Sequence, residues 1–352
     1  MKKYIALLLA VLLLLAGCSD SAEDTAPTTE VQTEPTMAAT EPQRKTRDQM
    51  HIWISLPEET DPYWYAAGMD LQQMLENMLY NVHLMFAISD PEEQALQLEQ
   101  ALDEGADCLI VAPVDSAALE QVGIRAAEEG VCVISYERLW MDTDAVDYYV
   151  SFDYEAMGKT FAEFLTENTV LSGEDPLTVE FFMGTPEDNN AMLLHRGLYE
   201  SLLPWLESGK ISCPSGRLAF EDACVVDMDT SAVEKALKDY MQIYYDGGMP
   251  DVIFTATDDF ADACIRVLQE QGVTEYPIIT GIGGSENAKE QMQMGRLAMS
   301  LILDRYVLND KCVELADAVL SGKEPTLTHV ETCHNHAKYV PAYLCGYGLM
   351  TP

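Results

Sequence analysis

Four short clusters in this 352-residue chain combine side chains that could do chemistry together. Asp61-Pro62-Tyr63-Trp64 sets a carboxylate beside two successive aromatic rings. Tyr136-Glu137-Arg138 puts a carboxylate next to a guanidinium. Gly184-Thr185-Pro186-Glu187-Asp188-Asn189-Asn190 ends in an amide pair, and Thr257-Asp258-Asp259 adds a hydroxyl and two carboxylates. Planar rings suit the C–H faces of a polyhydroxylated ring, and charged, multidentate groups suit its hydroxyl rim. Neighbouring side chains on a helix point about 100° apart, so it is awkward for Tyr63 and Trp64 both to face the core. Asp188 and Asp258 each admit a simpler role as helix N-caps. The argument for a shared site is that all four clusters follow a predicted strand.

Catalytic signatures are missing. The chain has no Gly-x-Ser-x-Gly, no His-Glu-x-x-His and no phosphate loop ending in Gly-Lys. A carboxylate pair acting on a glycosidic bond is the nearest hydrolytic chemistry, and it depends on a separation that sequence does not give. No catalytic residue, cofactor or metal is therefore expected. Cys333-His334-Asn335-His336 has ligand-type residues, but with the remaining ligand unidentified it reads as a solvated loop. Arg217 and Phe220, in the loop after residues 211–214, are further candidates for polar and stacking contacts.

Those clusters need a scaffold, and the apolar pattern supplies one. Strands are predicted over 52–56, 82–88, 108–112, 131–135, 148–152, 178–183, 252–256, 278–280 and 297–303. Helices are predicted over 62–79, 92–104, 116–129, 157–167, 190–206, 233–245, 261–271 and 311–320. Cys108-Leu109-Ile110-Val111-Ala112 is an unbroken apolar run, the mark of a strand covered on both faces in a parallel sheet. Repeated strand–helix units mean an α/β doubly wound fold, and about ten strands divide naturally between two sheets in two lobes. Ligands of such sheets bind beyond the carboxyl ends of the strands, which is where the four clusters fall.

The charge and the N-terminus bound the rest. With 59 acidic against 20 basic residues the formal charge is −39, which excludes nucleic acid and tight docking on anionic lipid head groups. Met1-Lys2-Lys3 precedes a twelve-residue apolar run from Ile5 to Ala16. That run falls short of the roughly 20 residues needed to cross a bilayer and reads as a signal-peptide core. Leu14-Leu15-Ala16-Gly17-Cys18 resembles a bacterial lipobox, which implies cleavage of residues 1–17 and acylation of Cys18 by diacylglycerol and a fatty acid such as palmitate. Loss of Lys2 and Lys3 would take the formal charge to −41. Residues 19–48 hold seven Thr, three Pro and seven acidic residues with no aromatic, so they are expected to form a disordered tether. The other eight of nine cysteines suit an exported protein of a reducing habitat better than a disulfide scaffold, with Cys108 and Cys132 the best-placed pair.

Taken in order, Ser135-Tyr136-Glu137-Arg138-Leu139, Asp147-Tyr148-Tyr149-Val150-Ser151-Phe152-Asp153 and Gly184-Thr185-Pro186-Glu187-Asp188-Asn189-Asn190-Ala191 resemble the sugar-binding proteins of ABC importers, nearest the xylose-binding and multiple-sugar-binding lipoproteins. The resemblance runs from Ile52 to about Tyr343. It implies two Rossmann-like lobes, a three-stranded hinge and a monosaccharide in the cleft. It further implies delivery to ABC permease subunits, from a protein held on the extracytoplasmic face of the cell membrane by acylated Cys18. By the same resemblance Tyr63 and Trp64 stack on the sugar with Asp61 beside them. Glu137 and Arg138 grip its hydroxyls, Asn189 and Asn190 reach it from the second lobe, and Thr257 and Asp258 complete the set. Two positions depart from the family: Gly283 stands where it has an aspartate, and Leu303 where it has a Lys or Gln. Either the ligand is less hydroxylated there or another residue compensates. The expected division is 49–153 plus 285–330 for the first lobe and 154–284 plus 331–352 for the second. A sensory partner of a membrane receptor and a glycoside hydrolase are the competing readings.

Overall fold

The computed structural model describes residues 44–168 and 176–352; Cys18, the leader and most of the tether lie outside the described residues. The first lobe is built from β1 (His51–Leu56), α1 (Pro62–Asn77), β2 (Asn81–Phe86), α2 (Pro91–Asp103), β3 (Cys108–Val111), α3 (Glu120–Glu129), β4 (Cys132–Tyr136) and β5 (Tyr148–Phe152). The chain then crosses to α4 (Tyr154–Asn168), β6 (Leu177–Phe182), α5 (Asn189–Glu207), β7 (Ile211–Ser212), α6 (Phe220–Ala223), α7 (Thr230–Tyr244), β8 (Val252–Thr255), α8 (Asp258–Glu270), β9 (Ile278–Ile282), α9 (Glu286–Gln293) and β10 (Met299–Ile302). It returns for α10 (Arg305–Leu320) and β11 (Ala342–Cys345), and crosses a third time into β12 (Gly348–Met350).

Each lobe holds a six-stranded sheet, ordered β11-β5-β4-β3-β1-β2 in the first and β12-β10-β9-β8-β6-β7 in the second. The pairings between these strands are parallel except that of β12 with β10. The strand order reverses beside β1 and beside β6, which puts a crevice at the carboxyl ends of β1 and β3 in one lobe and of β6 and β8 in the other. This is the two-lobed α/β architecture expected. Strands buried along their whole length, such as β3 and β8, are the unbroken apolar runs of the sequence.

Side-chain caps start the helices that carry the site. Asp61 accepts from the Tyr63 and Trp64 amides, Asp188 from the Asn190 amide, and Thr257 from the Phe260 amide. Helices α4 and α5 cross face to face through Gly158 and Gly197. A Cβ on either glycine would run into the other helix's backbone, at Leu194 O and Glu155 O respectively. Only glycine permits that approach.

The segment division differs from expectation in two places. Residues 285–302 belong to the second lobe, because β10 pairs with β9 from Met299↔Thr280 to Leu301↔Ile282. The β9–α9–β10 segment is one crossover unit and closes on a single sheet. Residues 342–345 belong to the first lobe, where β11 extends the sheet beside β5. The tether also ends earlier than residue 48. Lys45 pairs with Asp107 at 2.6 Å, Arg47 pairs with Asp317 at 2.6 Å, and the Asp48 carbonyl accepts the Asn81 amide at 2.8 Å. Local composition gave no sign of these long-range partners.

Cys108 and Cys132 do align in register on β3 and β4, and both carry free thiols. The Cys333–His336 stretch forms a knot around Asn335, whose side-chain amide is buried and donates to Trp140 O and Thr143 O at 3.1 and 2.7 Å. Among the described residues no group of three or more metal-ligating side chains is placed to hold an ion.

Candidate functional site

The carboxyl ends of the strands meet along the seam between the lobes, and Glu137 sits at its centre. It follows β4 with φ 63, a left-handed conformation that costs a residue other than glycine free energy. The surroundings hold it there. The Glu137 carbonyl accepts from Ser151 Oγ at 2.7 Å and Asn190 Nδ2 at 2.7 Å, and at 3.0 Å shares the single Tyr149 hydroxyl proton with Asn190 Oδ1. Its carboxylate accepts from Tyr154 Oη on Oε1 at 2.5 Å and from Asn190 Nδ2 on Oε2 at 3.0 Å. Asn190 closes the circuit by accepting from Tyr149 Oη at 2.9 Å. Asn190 opens α5 of the second lobe, so these bonds join the lobes directly. The expectation was a ligand bridging Glu137 and Asn190; the two side chains touch each other.

Burial pushes the Glu137 carboxyl up to about 7, with nearby Asp188 adding to the rise while Tyr154, Arg138 and Asn190 oppose it. At neutral pH it is therefore divided between its charged and neutral forms.

Arg138, expected beside Glu137 on the ligand's hydroxyls, packs on the neighbouring aromatic ring. Its guanidinium carbon lies 5.3 Å from the Trp64 ring centre, and its one hydrogen bond, to Pro113 O, is long at 3.4 Å. Trp64 is 8% exposed and belongs to the apolar core, so its ring is not open to solvent. It is buried because the first turn of α1 lays it against the core while Arg138 covers it. Tyr63 meets Trp64 edge-on, with ring centres 5.2 Å apart. The Tyr63 hydroxyl is buried with no partner among the described residues, and burial followed by the charge of Glu137 raises its pKa. An orphaned buried hydroxyl is costly unless something absent from the free protein satisfies it.

On the second lobe Asp258 is 7% exposed and turned inward. It accepts from Ser300 Oγ on Oδ1 at 2.6 Å and from the Ser285 amide on Oδ2 at 2.8 Å. Gly283 is where it is because that carboxylate fills the space beside it: a Cβ there would come within 2.9 Å of Asp258 Oδ2. Asp61 and Thr257 serve as helix caps, and Asn189 is half-buried at the edge of two interlobe cavities. The larger, about 450 Å³, is flanked by Tyr154, Lys159, Arg196, Cys333 and His334. The smaller, about 30 Å³, lies between Arg138 and Asp188. Arg217 points away, donating to the Asp222 carbonyl and covering the Tyr240 ring at 5.7 Å, while Phe220 packs on His195. Neither comes to the seam.

Sequence reasoning missed Tyr149, Ser151 and Tyr154, and on the second lobe Ser285 and Ser300. Tyr149 and Ser151 sit two apart on β5 and so share a face, a period-2 signal present in the motif. Nothing local marks Ser300, whose partner lies 42 residues away.

The family model for the periplasmic binding protein domain matches residues 52–324. The chain belongs to that family. It is 26% identical over 302 residues to the multiple sugar-binding periplasmic receptor ChvE of Rhizobium radiobacter, covering 84% of this chain and 85% of the receptor. It is 27% identical over 270 residues to the D-xylose-binding periplasmic protein of Escherichia coli K12, covering 76% of this chain and 77% of that protein. Among solved structures, an ABC transporter solute-binding protein from Clostridium phytofermentans with bound β-D-glucose superposes with a TM-score of 0.80. The identity there is 28%, over 86% of this chain and 94% of that one.

Proposed function

We propose that the chain is an extracytoplasmic, non-catalytic solute-binding lipoprotein. It captures a small sugar-like ligand between its lobes and delivers it to an ABC permease. The observation that carries the reading is the seam itself. Both lobes direct their strand ends to it, and it gathers a buried, unpartnered Tyr63 hydroxyl, the Arg138 guanidinium over Trp64, and the Glu137–Asn190 contact. In this reading Tyr63, Trp64, Glu137, Arg138, Asn189 and Asn190 line the ligand cleft, and Asp61, Thr257 and Asp258 brace its rim through the caps and inward bonds already described. The named relatives bind sugars, and one is called a receptor, which supports a sensing partner as the second reading. Neighbouring permease and ATPase genes favour import; a neighbouring histidine kinase favours sensing.

The test is a thermal-shift screen of pentoses, hexoses and inositols. A ligand at 100 times its dissociation constant adds about 2.7 kcal/mol of stability. If no carbohydrate moves the melt, the solute reading falls. Anchoring is tested separately: Cys18→Ala should move the protein from the membrane to the soluble fraction. Retention of the variant, with no lipid on the wild type, would remove the lipoprotein part alone.

A further inference from the structure

A further cavity lies within the second lobe, at the β7 edge of its sheet and apart from the seam side chains. β7 pairs with β6 at Leu177↔Ile211 and Thr178↔Ser212, and the chain meets β6 again where Cys224 bridges Met183. Residues 213–223 between these points carry no strand, and a space of about 550 Å³ is left beside β6 and α7. That volume suits a small molecule. Its lining is largely apolar: Phe181, Phe182, Val225, Ala236 and the Tyr240 ring, which stacks on Phe182 with centres 5.8 Å apart and planes at 16°.

Two opposite charges on this lining have no ion pair. The Arg217 guanidinium covers Tyr240, its carbon 5.7 Å from the ring centre, and donates through Nη2 to the Asp222 carbonyl. Its Nε is buried without a hydrogen bond, and no carboxylate among the described residues pairs with it. Asp227 is exposed at the lip, with φ 56 and no hydrogen-bond or ion-pair partner among the described residues. Asp229, also on the lining, caps α7 by accepting the Ser231 amide at 2.8 Å and Ser231 Oγ at 2.7 Å. A simple anion would satisfy Arg217 but meet the field of both carboxylates. A simple cation would do the reverse, and a neutral solute would leave the guanidinium without an ionic partner. A zwitterion answers both signs, and an apolar side chain on it answers the lining.

We propose that this cavity binds a free α-amino acid with an aromatic or aliphatic side chain. The carboxylate meets Arg217, the ammonium faces Asp227 and Asp229, and the side chain lies against Phe182 and Tyr240. The site is separate from the interlobe cleft and goes beyond the solute-binding reading. Hydrogen bonds to charged groups are the strong ones, so a ligand lacking either charged end should lose about ten- to a hundredfold in affinity.

The experiment titrates the full chain by calorimetry with L-phenylalanine and L-leucine as zwitterionic probes. Two analogues serve as controls: 3-phenylpropanoate, which lacks the ammonium, and 2-phenylethylamine, which lacks the carboxylate. The expected result is that L-phenylalanine binds about ten- to a hundredfold tighter than either analogue. Arg217→Gln should remove its advantage over 2-phenylethylamine, and Asp227→Asn should reduce its advantage over 3-phenylpropanoate. Should Arg217→Gln fail to fold, the exposed Asp227→Asn and the two analogues decide. No binding of either amino acid, or equal affinity for L-phenylalanine and its analogues, overturns the proposal. Folded variants that bind L-phenylalanine as the wild type does would place the amino acid elsewhere, and overturn it too.

Discussion

The charge state of Glu137 yields the most quantitative prediction. Glu137 is 6% exposed, and burial lifts its carboxyl from an ordinary 4.5 to about 7. Above pH 7 the group is ionised whether the protein is folded or not, and the folded state carries the full cost of the buried charge. Below pH 4.5 it is protonated in both states and the cost is gone. A raised folded value thus means stability that is present at low pH and lost as pH climbs through 7. The difference between the two limits is about 3 kcal/mol, most of which falls between pH 5 and pH 8. For roughly 300 residues unfolding together that is about 4 °C in Tm. Other carboxylates and the −39 net charge add a slope of their own on acidification. The comparison is therefore wild type minus Glu137→Gln, which keeps the shape and removes the titration. Urea unfolding of both proteins from pH 5 to pH 8 should show the wild type gaining about 2–3 kcal/mol on the variant toward acid. A difference that stays flat across that range would mean the carboxyl is solvated and the seam is not closed as described.

Gly197→Ala should abolish or severely reduce soluble protein, because its Cβ has nowhere to go but into the Glu155 backbone; a melt within a degree or two of wild type would show that α4 and α5 separate easily. Asp258→Ala strands Ser300 Oγ and the Ser285 amide and should cost about 2–4 kcal/mol in urea unfolding, while an unchanged midpoint would place Asp258 in solvent. Trp64→Ala should lower the apo melt by the ~3–5 kcal/mol typical of a buried Trp, and a near-neutral effect would show instead a ring held ready for ligand.

The architecture was legible because it is written in local period and run length. Apolar runs such as Cys108–Val111 and Val252–Phe254 are short and uninterrupted, so the strand–helix alternation could be read to within a few residues. The lobe boundaries were less legible, since nothing in residues 285–302 says which sheet β10 joins; that depends on the pairing Met299↔Thr280. Within the site, position could be read but orientation could not. Asp61 and Thr257 were marked for a ligand and act as caps, because a carboxylate or hydroxyl ahead of a helix finds the free amides first. Asp258 was expected to face the cleft and turns inward, since Ser300 on a distant strand offers a closer donor. Glu137 and Asn190 were marked for opposite sides of a ligand and lie where the lobes meet, but the sequence could not show that they bond to one another.

That direct contact sets the energy scale of closure. Asn190 makes three hydrogen bonds across the seam: to the Glu137 carbonyl, to its carboxylate, and from Tyr149. At about 1 kcal/mol net for each bond, somewhat more for the one to a charged group, they favour the closed lobes by about 3–4 kcal/mol. Burying Glu137 as a charge opposes closure, and does so less at neutral pH, where the carboxyl is partly protonated. The two terms oppose one another. A ligand can shift an equilibrium only by its differential affinity for the two states, so a seam held between opposing terms is one that a small, weakly held molecule can close. A seam with a permanently ionised carboxylate would stay open against the same molecule. One with a neutral amide at position 137 would lean toward closure before any ligand arrived.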